Sequence, residues 1–140
     1  MLSVYPACFY KEENGYSVIF PDLNNGLATC GETLEEAFEM AVDCIEGYLY
    51  ELMLDNEPFP QASEFEKIDV SKVIEDLEFE YSEAFVNMVA VDVKEYARQY
   101  FEKTVEKTVV IPQWLDERAS EMKIDMTKAF QEKLLELVQA

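Results

Sequence analysis

Glu35, Glu36, Glu39, Asp43 and Glu46 recur within one short stretch of this chain, and no histidine accompanies them anywhere in its 140 residues. Without imidazole the chain lacks the usual general base near neutral pH, the Ser-His and Cys-His nucleophile pairs, and the commonest metal ligand. Catalysis would fall to carboxylates and lysines. A nuclease built on carboxylates needs several of them converging on Mg²⁺. Glu35, Glu36, Glu39 and Asp43 instead follow one another along a single exposed helix face. No Gly-rich phosphate loop or nucleophile motif is present, and Cys8, Cys30 and Cys44 are odd in number without CxxC spacing. The chain reads as a non-enzyme with no cofactor and no metal site.

What such carboxylates can do is bind. Residues 1–92 hold 3 basic and 21 acidic side chains, a net of −18, whereas residues 93–140 hold 8 and 9, a net of −1, within a total of −19. A strongly negative front suits a basic partner, because opposite fields steer encounter and like fields repel competitors. The nearly neutral back, with lysines and arginines spread through it, suits an approach to nucleic acid. The expected division is an acidic α/β domain over residues 1–100 and a second module over 101–140.

Periodicity supplies the elements that must hold these groups. Leu2 to Tyr10 and Tyr16 to Phe20 read as a hairpin turning at Asn14-Gly15, and Leu27 to Cys30 as a third strand. Thr33 with Glu36 makes a capping box ahead of a long helix. In that helix Leu34, Ala37, Phe38, Ala41, Cys44, Ile45, Tyr48, Leu49 and Leu52 form an apolar stripe, with the carboxylates opposite. Residues 61–83 read as an acidic surface loop with a short helix around Ser71 to Leu77. Phe85 to Val91 reads as a strand buried on both faces, and Val93 to Phe101 as a short helix. The N-terminus has no basic start or apolar core of a secretory signal. No run of about 18 apolar residues is present. The expected setting is a reducing cytoplasm, away from membranes.

The tail changes style. KTVEKTVVIP reads as a strand stopped by Pro112, and PQWLDERASEMK as a helix begun by that proline. AFQEKLLELV follows as a second helix capped from Asp125 to Thr127. Strand, helix, helix in about 35 residues cannot bury its own apolar faces, so a dimer or larger assembly is expected. Two such strands paired antiparallel make a ribbon that fits the major groove. Val109 and Ile111 would then face the helices, and Thr108 and Val110 the bases. Lys103, Lys107, Thr127 and Lys128 would hold phosphates. Trp114 is expected at the dimer interface.

Two stretches carry a family resemblance. YPACFYKEENGYSVIFPDL with TCGETLEEAFEMAVDCIEGYL resembles a HicB-type antitoxin, and KTVVIPQWLDERASEMKIDMTKAFQEKL is similar to the ribbon-helix-helix module that many of those antitoxins carry. One departure is local: the family's usual Pro-Gly-Cys after FPDL is here Asn24-Asn25-Gly26-Leu27. The resemblance implies an α+β fold, with a degraded RNase H-like front domain of antiparallel sheet and one main helix. It implies that this domain covers the active surface of a small basic mRNA-cleaving toxin, and that the ribbon-helix-helix dimer represses the operon by binding its operator DNA. The toxin-facing groups are expected to be carboxylates on the rim of a partly apolar surface. Asp22, Asp43 and Glu46 are the candidates, with Tyr10 as an aromatic anchor. Tyr48 and Tyr50 are further anchor candidates, although Tyr48 at its helical spacing also suits the core. Two other readings stay open: a ligand-sensing ribbon-helix-helix regulator with no toxin, and a mimic of DNA whose acidic face occupies a DNA-binding enzyme.

Overall fold

The computed structural model describes residues 1–139, which form two compact units, one ending at Lys103 and one beginning at Thr104. The first is α+β. Strands β1 (Ser3–Glu12), β2 (Gly15–Phe20) and β3 (Leu27–Gly31) lead into the long helix α1 (Leu34–Leu54). After one 3₁₀ turn at Phe65–Lys67 come α2 (Val70–Val73), β4 (Glu83–Val91) and α3 (Val93–Ala97), which runs on as a π turn over Arg98–Glu102. The four strands are antiparallel in the order β3-β2-β1-β4.

The hairpin between β1 and β2 turns where Asn14-Gly15 requires it. Gly15 has φ +150°, and a Cβ there would lie 2.5 Å from the Gly31 carbonyl oxygen. Gly31 is needed for closeness of a different kind: a Cβ on it would meet the Ala37 nitrogen at 2.5 Å, so β3 passes directly against the first turn of α1. That turn is capped as its sequence predicts. Thr33 Oγ1 accepts from the Glu36 N–H at 3.1 Å, while Glu36 Oε2 reaches back to the Glu32 N–H at 2.9 Å. Glu35 and Glu36 also complement the positive end of the helix dipole.

Ala37, Ala41, Ile45 and Leu49 of α1 are fully buried against Tyr5, Ala7, Phe9, Val18, Phe20, Val89 and Val91 on one face of the sheet. Phe9 lies directly opposite Phe85 across the β1–β4 ladder, and their rings stack with centroids 5.0 Å apart.

The opposite face is covered as well, contrary to the expectation for residues 61–83. Ile68, Val70, Val73, Ile74 and Phe79 pack over Cys8, Tyr10 and Ile19 in a second apolar cluster. The stretch is a strap across the sheet. Its apolar residues are too widely interspersed with acids to show a period, yet Asp69 caps α2 by accepting from the Ser71 and Lys72 N–H groups. The strand buried on both faces is consequently β1, in which every residue from Tyr5 to Tyr10 is buried. β4 was expected in that role; it is an edge strand, with Asn87, Met88 and Ala90 exposed. An apolar run looks alike in both settings, and position in the sheet decides which strand is covered twice.

The second unit consists of α4 (Gln113–Glu121) and α5 (Met126–Gln139) preceded by extended chain. Residues 103–112 form no ladder in the single chain, where a strand was expected.

Candidate partner-binding surfaces

On α1 the 21 residues make almost six turns, and the stripe opposite the core carries Glu35, Glu36, Glu39 and Asp43, all exposed. Among the described residues no three acids or cysteines cluster closely enough to hold a metal ion. The carboxylates spread along a surface and create a negative field there.

Toward its C-terminal half this acidic stripe meets aromatic rings. Tyr50 of α1 stacks on Phe101 with centroids 4.3 Å apart and rings within 10° of parallel. Tyr96 packs edge-on to both, at 5.9 Å from Tyr50 and 5.5 Å from Phe101, and Tyr100 lies 5.1 Å from Tyr96. The π turn carries Tyr100 and Phe101 with 69% and 54% of their surfaces exposed. Burial raises the Tyr96 phenol above its ordinary range, and the neighbouring Glu46 and Asp43 carboxylates raise it further. Glu46 is half-buried; burial first, and then Asp43, lift its carboxyl above the usual range. Neither Asp43 nor Glu46 has an ion-pair partner among the described residues.

Asp43 and Glu46 thus share one surface, but Asp22 and Tyr10 are held elsewhere. Asp22 fastens the strap. Its two oxygens accept from the Ser63 N–H at 2.8 Å and the Ser63 hydroxyl at 2.6 Å. Tyr10 does not stand on the surface as an anchor would. It is 0% exposed, its hydroxyl donates to the Val70 carbonyl at 2.6 Å, and Phe79 and Tyr81 meet its ring edge-on. Burial pushes its phenol far above the ordinary range. A partner cannot reach it while the strap is in place. Tyr48 and Tyr50 both pack against the main core, and Tyr50 belongs as well to the aromatic group just described.

A second acidic surface was not anticipated. An open groove of about 1040 Å³ between the β1–β2 hairpin, the start of α1 and the end of the strap carries Glu12, Glu13, Glu32, Glu36, Glu78 and Glu80. The Tyr96, Tyr100 and Phe101 cluster was also missed. Its signal was the i, i+4, i+5 spacing of rings beside a helix.

In the tail, Lys107, Thr108, Val110, Thr127 and Lys128 are exposed in the second unit, and Lys103 is exposed at the end of the first. Asp125 is the residue that caps α5, accepting from the Lys128 N–H at 3.1 Å, so Thr127 lies within the first turn and is not the cap. Trp114, Leu134, Leu137 and Val138 are exposed, and Val110 is 93% exposed. No described residue of this unit is buried.

Comparison with known proteins places these surfaces in context. Residues 5–134 match the family described as HicB_like antitoxin of bacterial toxin-antitoxin system. A chain from a toxin–antitoxin complex of Streptococcus pneumoniae is 28% identical with a TM-score of 0.66, over 97% of this chain and 99% of that one. The antitoxin HicB of Burkholderia pseudomallei is 21% identical with a TM-score of 0.48, over 97% of this chain and 96% of that one. The N-terminal domain of a Burkholderia pseudomallei HicB is 25% identical with a TM-score of 0.44, over 64% of this chain and 99% of that one. No curated protein sequence matches the chain.

Proposed function

Because the chain belongs to the HicB-like antitoxin family of bacterial toxin–antitoxin systems, we propose that its first unit neutralises a small basic mRNA-cleaving toxin by covering the toxin's active site. The observation that carries this reading is the surface where Asp43 and Glu46, without an ion-pair partner among the described residues, lie near Tyr96 in a cluster that includes the exposed Tyr100 and Phe101. Carboxylates so placed substitute for RNA phosphate against toxin lysines and histidines. The rings supply the apolar area that makes such a contact last. The Streptococcus pneumoniae chain, matched over nearly its whole length, comes from a toxin–antitoxin complex, which supports a toxin as partner. The antiparallel sheet with one long helix is compatible with a degraded RNase H-like domain, in which carboxylates serve recognition instead of metal binding.

The second unit, on this reading, is a ribbon-helix-helix module. Its apolar stripes remain exposed in the single chain, as expected of half a shared core. Pairing residues 104–111 of two chains would form the ribbon, with Thr108 and Val110 toward operator bases. Lys103, Lys107, Thr127 and Lys128 would lie toward phosphates. Glu106 beside them keeps the affinity modest and dependent on low salt.

The test has two arms. The chain is mixed with the basic protein encoded beside it and passed over a sizing column at low salt; the reading requires a complex. Gel shifts on the DNA upstream of the operon at graded salt address the tail. A chain that stays free in the first arm removes toxin neutralisation. A tail that shifts operator and random DNA alike removes autorepression.

A further inference from the structure

We propose that Tyr50, Tyr96, Tyr100 and Phe101, together with Asp43 and Glu46, form a seat for one arginine side chain of the basic partner. The inference deepens the proposed function and rests on it for the identity of that partner.

Three observations lead to arginine. The rings leave aromatic surface open: Tyr100 and Phe101 are 69% and 54% exposed, with one face of Phe101 stacked on Tyr50 at 4.3 Å. Aromatic faces attract cations, and a guanidinium is flat enough to lie on a ring while its edge pairs with a carboxylate. Second, Asp43 and Glu46, whose charges reach the Tyr96 phenol, have no ion-pair partner among the described residues. The one arginine of the π turn, Arg98, is already paired with Glu95, so the chain does not fill the seat itself. Third, the charge is complementary: residues 1–92 carry a net of −18, which excludes an anionic occupant and repels a second copy of this unit. The seat is also braced. Tyr50 rises from α1, whereas Tyr96, Tyr100 and Phe101 come from α3 and the π turn, and their mutual packing at 5.1 to 5.9 Å fixes the rings in advance of binding.

The test uses the full chain with ¹³C-labelled tyrosine and phenylalanine, titrated with tetra-arginine, tetra-lysine and tetra-citrulline while ring resonances are followed by NMR. Tetra-arginine should shift the Tyr96, Tyr100 and Phe101 signals saturably and bind more tightly than tetra-lysine; tetra-citrulline should leave them unmoved. Tyr100→Leu stays apolar but loses the π face, so it should weaken tetra-arginine by about two- to fivefold, while Tyr100→Phe, which keeps the ring, should not. Equal affinity for arginine and lysine peptides with no effect of Tyr100→Leu would overturn the seat, as would shifts confined to other rings. This outcome is separable from failure of the proposed function. Peptide binding at these rings without any complex with the co-encoded basic protein leaves the seat and removes the toxin. A complex that is indifferent to Tyr100→Leu does the reverse.

Discussion

The Tyr10 hydroxyl donates to the Val70 carbonyl at 2.6 Å, joining a central strand to a segment 60 residues further along the chain. This bond, with Asp22 on Ser63 and the Tyr5 hydroxyl on the Pro60 carbonyl at 2.6 Å, fastens the strap over the back of the sheet. Tyr10→Phe should therefore cost about 1 kcal/mol in urea unfolding. It should also speed proteolytic cutting within residues 61–83, because the strap would open more often. Unchanged stability and cutting would mean that the strap is held by its apolar contacts alone.

The front of the sheet depends on the α1 stripe. Ile45 is fully buried among strand residues, so Ile45→Ala should destabilise by about 2–5 kcal/mol. Glu39, on the outer stripe, should tolerate Gln within about 0.5 kcal/mol. Thermal unfolding of the two variants measures the contrast directly.

Glu46 predicts a pH dependence. Its carboxyl is raised by burial and by Asp43 on the same helix, with the Tyr96 phenol facing it from α3. A carboxyl raised in the folded state holds its proton more tightly than in the unfolded chain. Its ionisation therefore opposes folding, fully above the raised value and not at all below the ordinary carboxylate range. Glu46→Gln should add a little stability, under about 0.5 kcal/mol, at neutral pH and none in strong acid. Binding runs the other way: a cationic partner needs the ionised form. Calorimetric affinity should fall as pH drops through the raised value, before ordinary carboxylates titrate, and Glu46→Gln should flatten that early fall.

In the tail, Phe130 and Leu134 lie on a stripe with no cover in the single chain. On the proposed pairing of two chains, Phe130→Ser with Leu134→Ser should leave a monomer in sedimentation and abolish operator binding. Within the dimer, Thr108→Ala should weaken operator binding more than random-DNA binding, whereas Lys107→Ala should weaken both and reduce the salt slope by about 1.

Local signals led to much of this architecture. The capping box at Thr33, the α1 stripe and the Asn14-Gly15 turn depend on neighbours within a few residues, and periodicity exposes them. The strap does not: its hydrophobic residues acquire meaning only once β1 presents Cys8 and Tyr10 on the face behind the sheet. For that reason the sequence presents Tyr10 as a surface anchor, whereas the strap buries it. The same limit affected β4, since a strand's own residues do not tell whether it lies at an edge. At the binding surface, the charges of Asp43 and Glu46 were legible from helix spacing. Their meeting with Tyr96, Tyr100 and Phe101 was not, because two elements separated by the strap and β4 have to pack first.

The central claim is that the acidic surface around Asp43 and Glu46 silences a basic ribonuclease. The direct measurement is RNA cleavage by the co-encoded basic protein during titration with this chain. Cleavage should fall to background near one chain per toxin molecule, and Asp43→Asn with Glu46→Gln should raise the half-inhibiting concentration at least about tenfold, the loss expected for charge pairs at an interface. Undiminished cleavage in excess chain would contradict the account, as would full inhibition by the doubly neutralised variant at the same concentration.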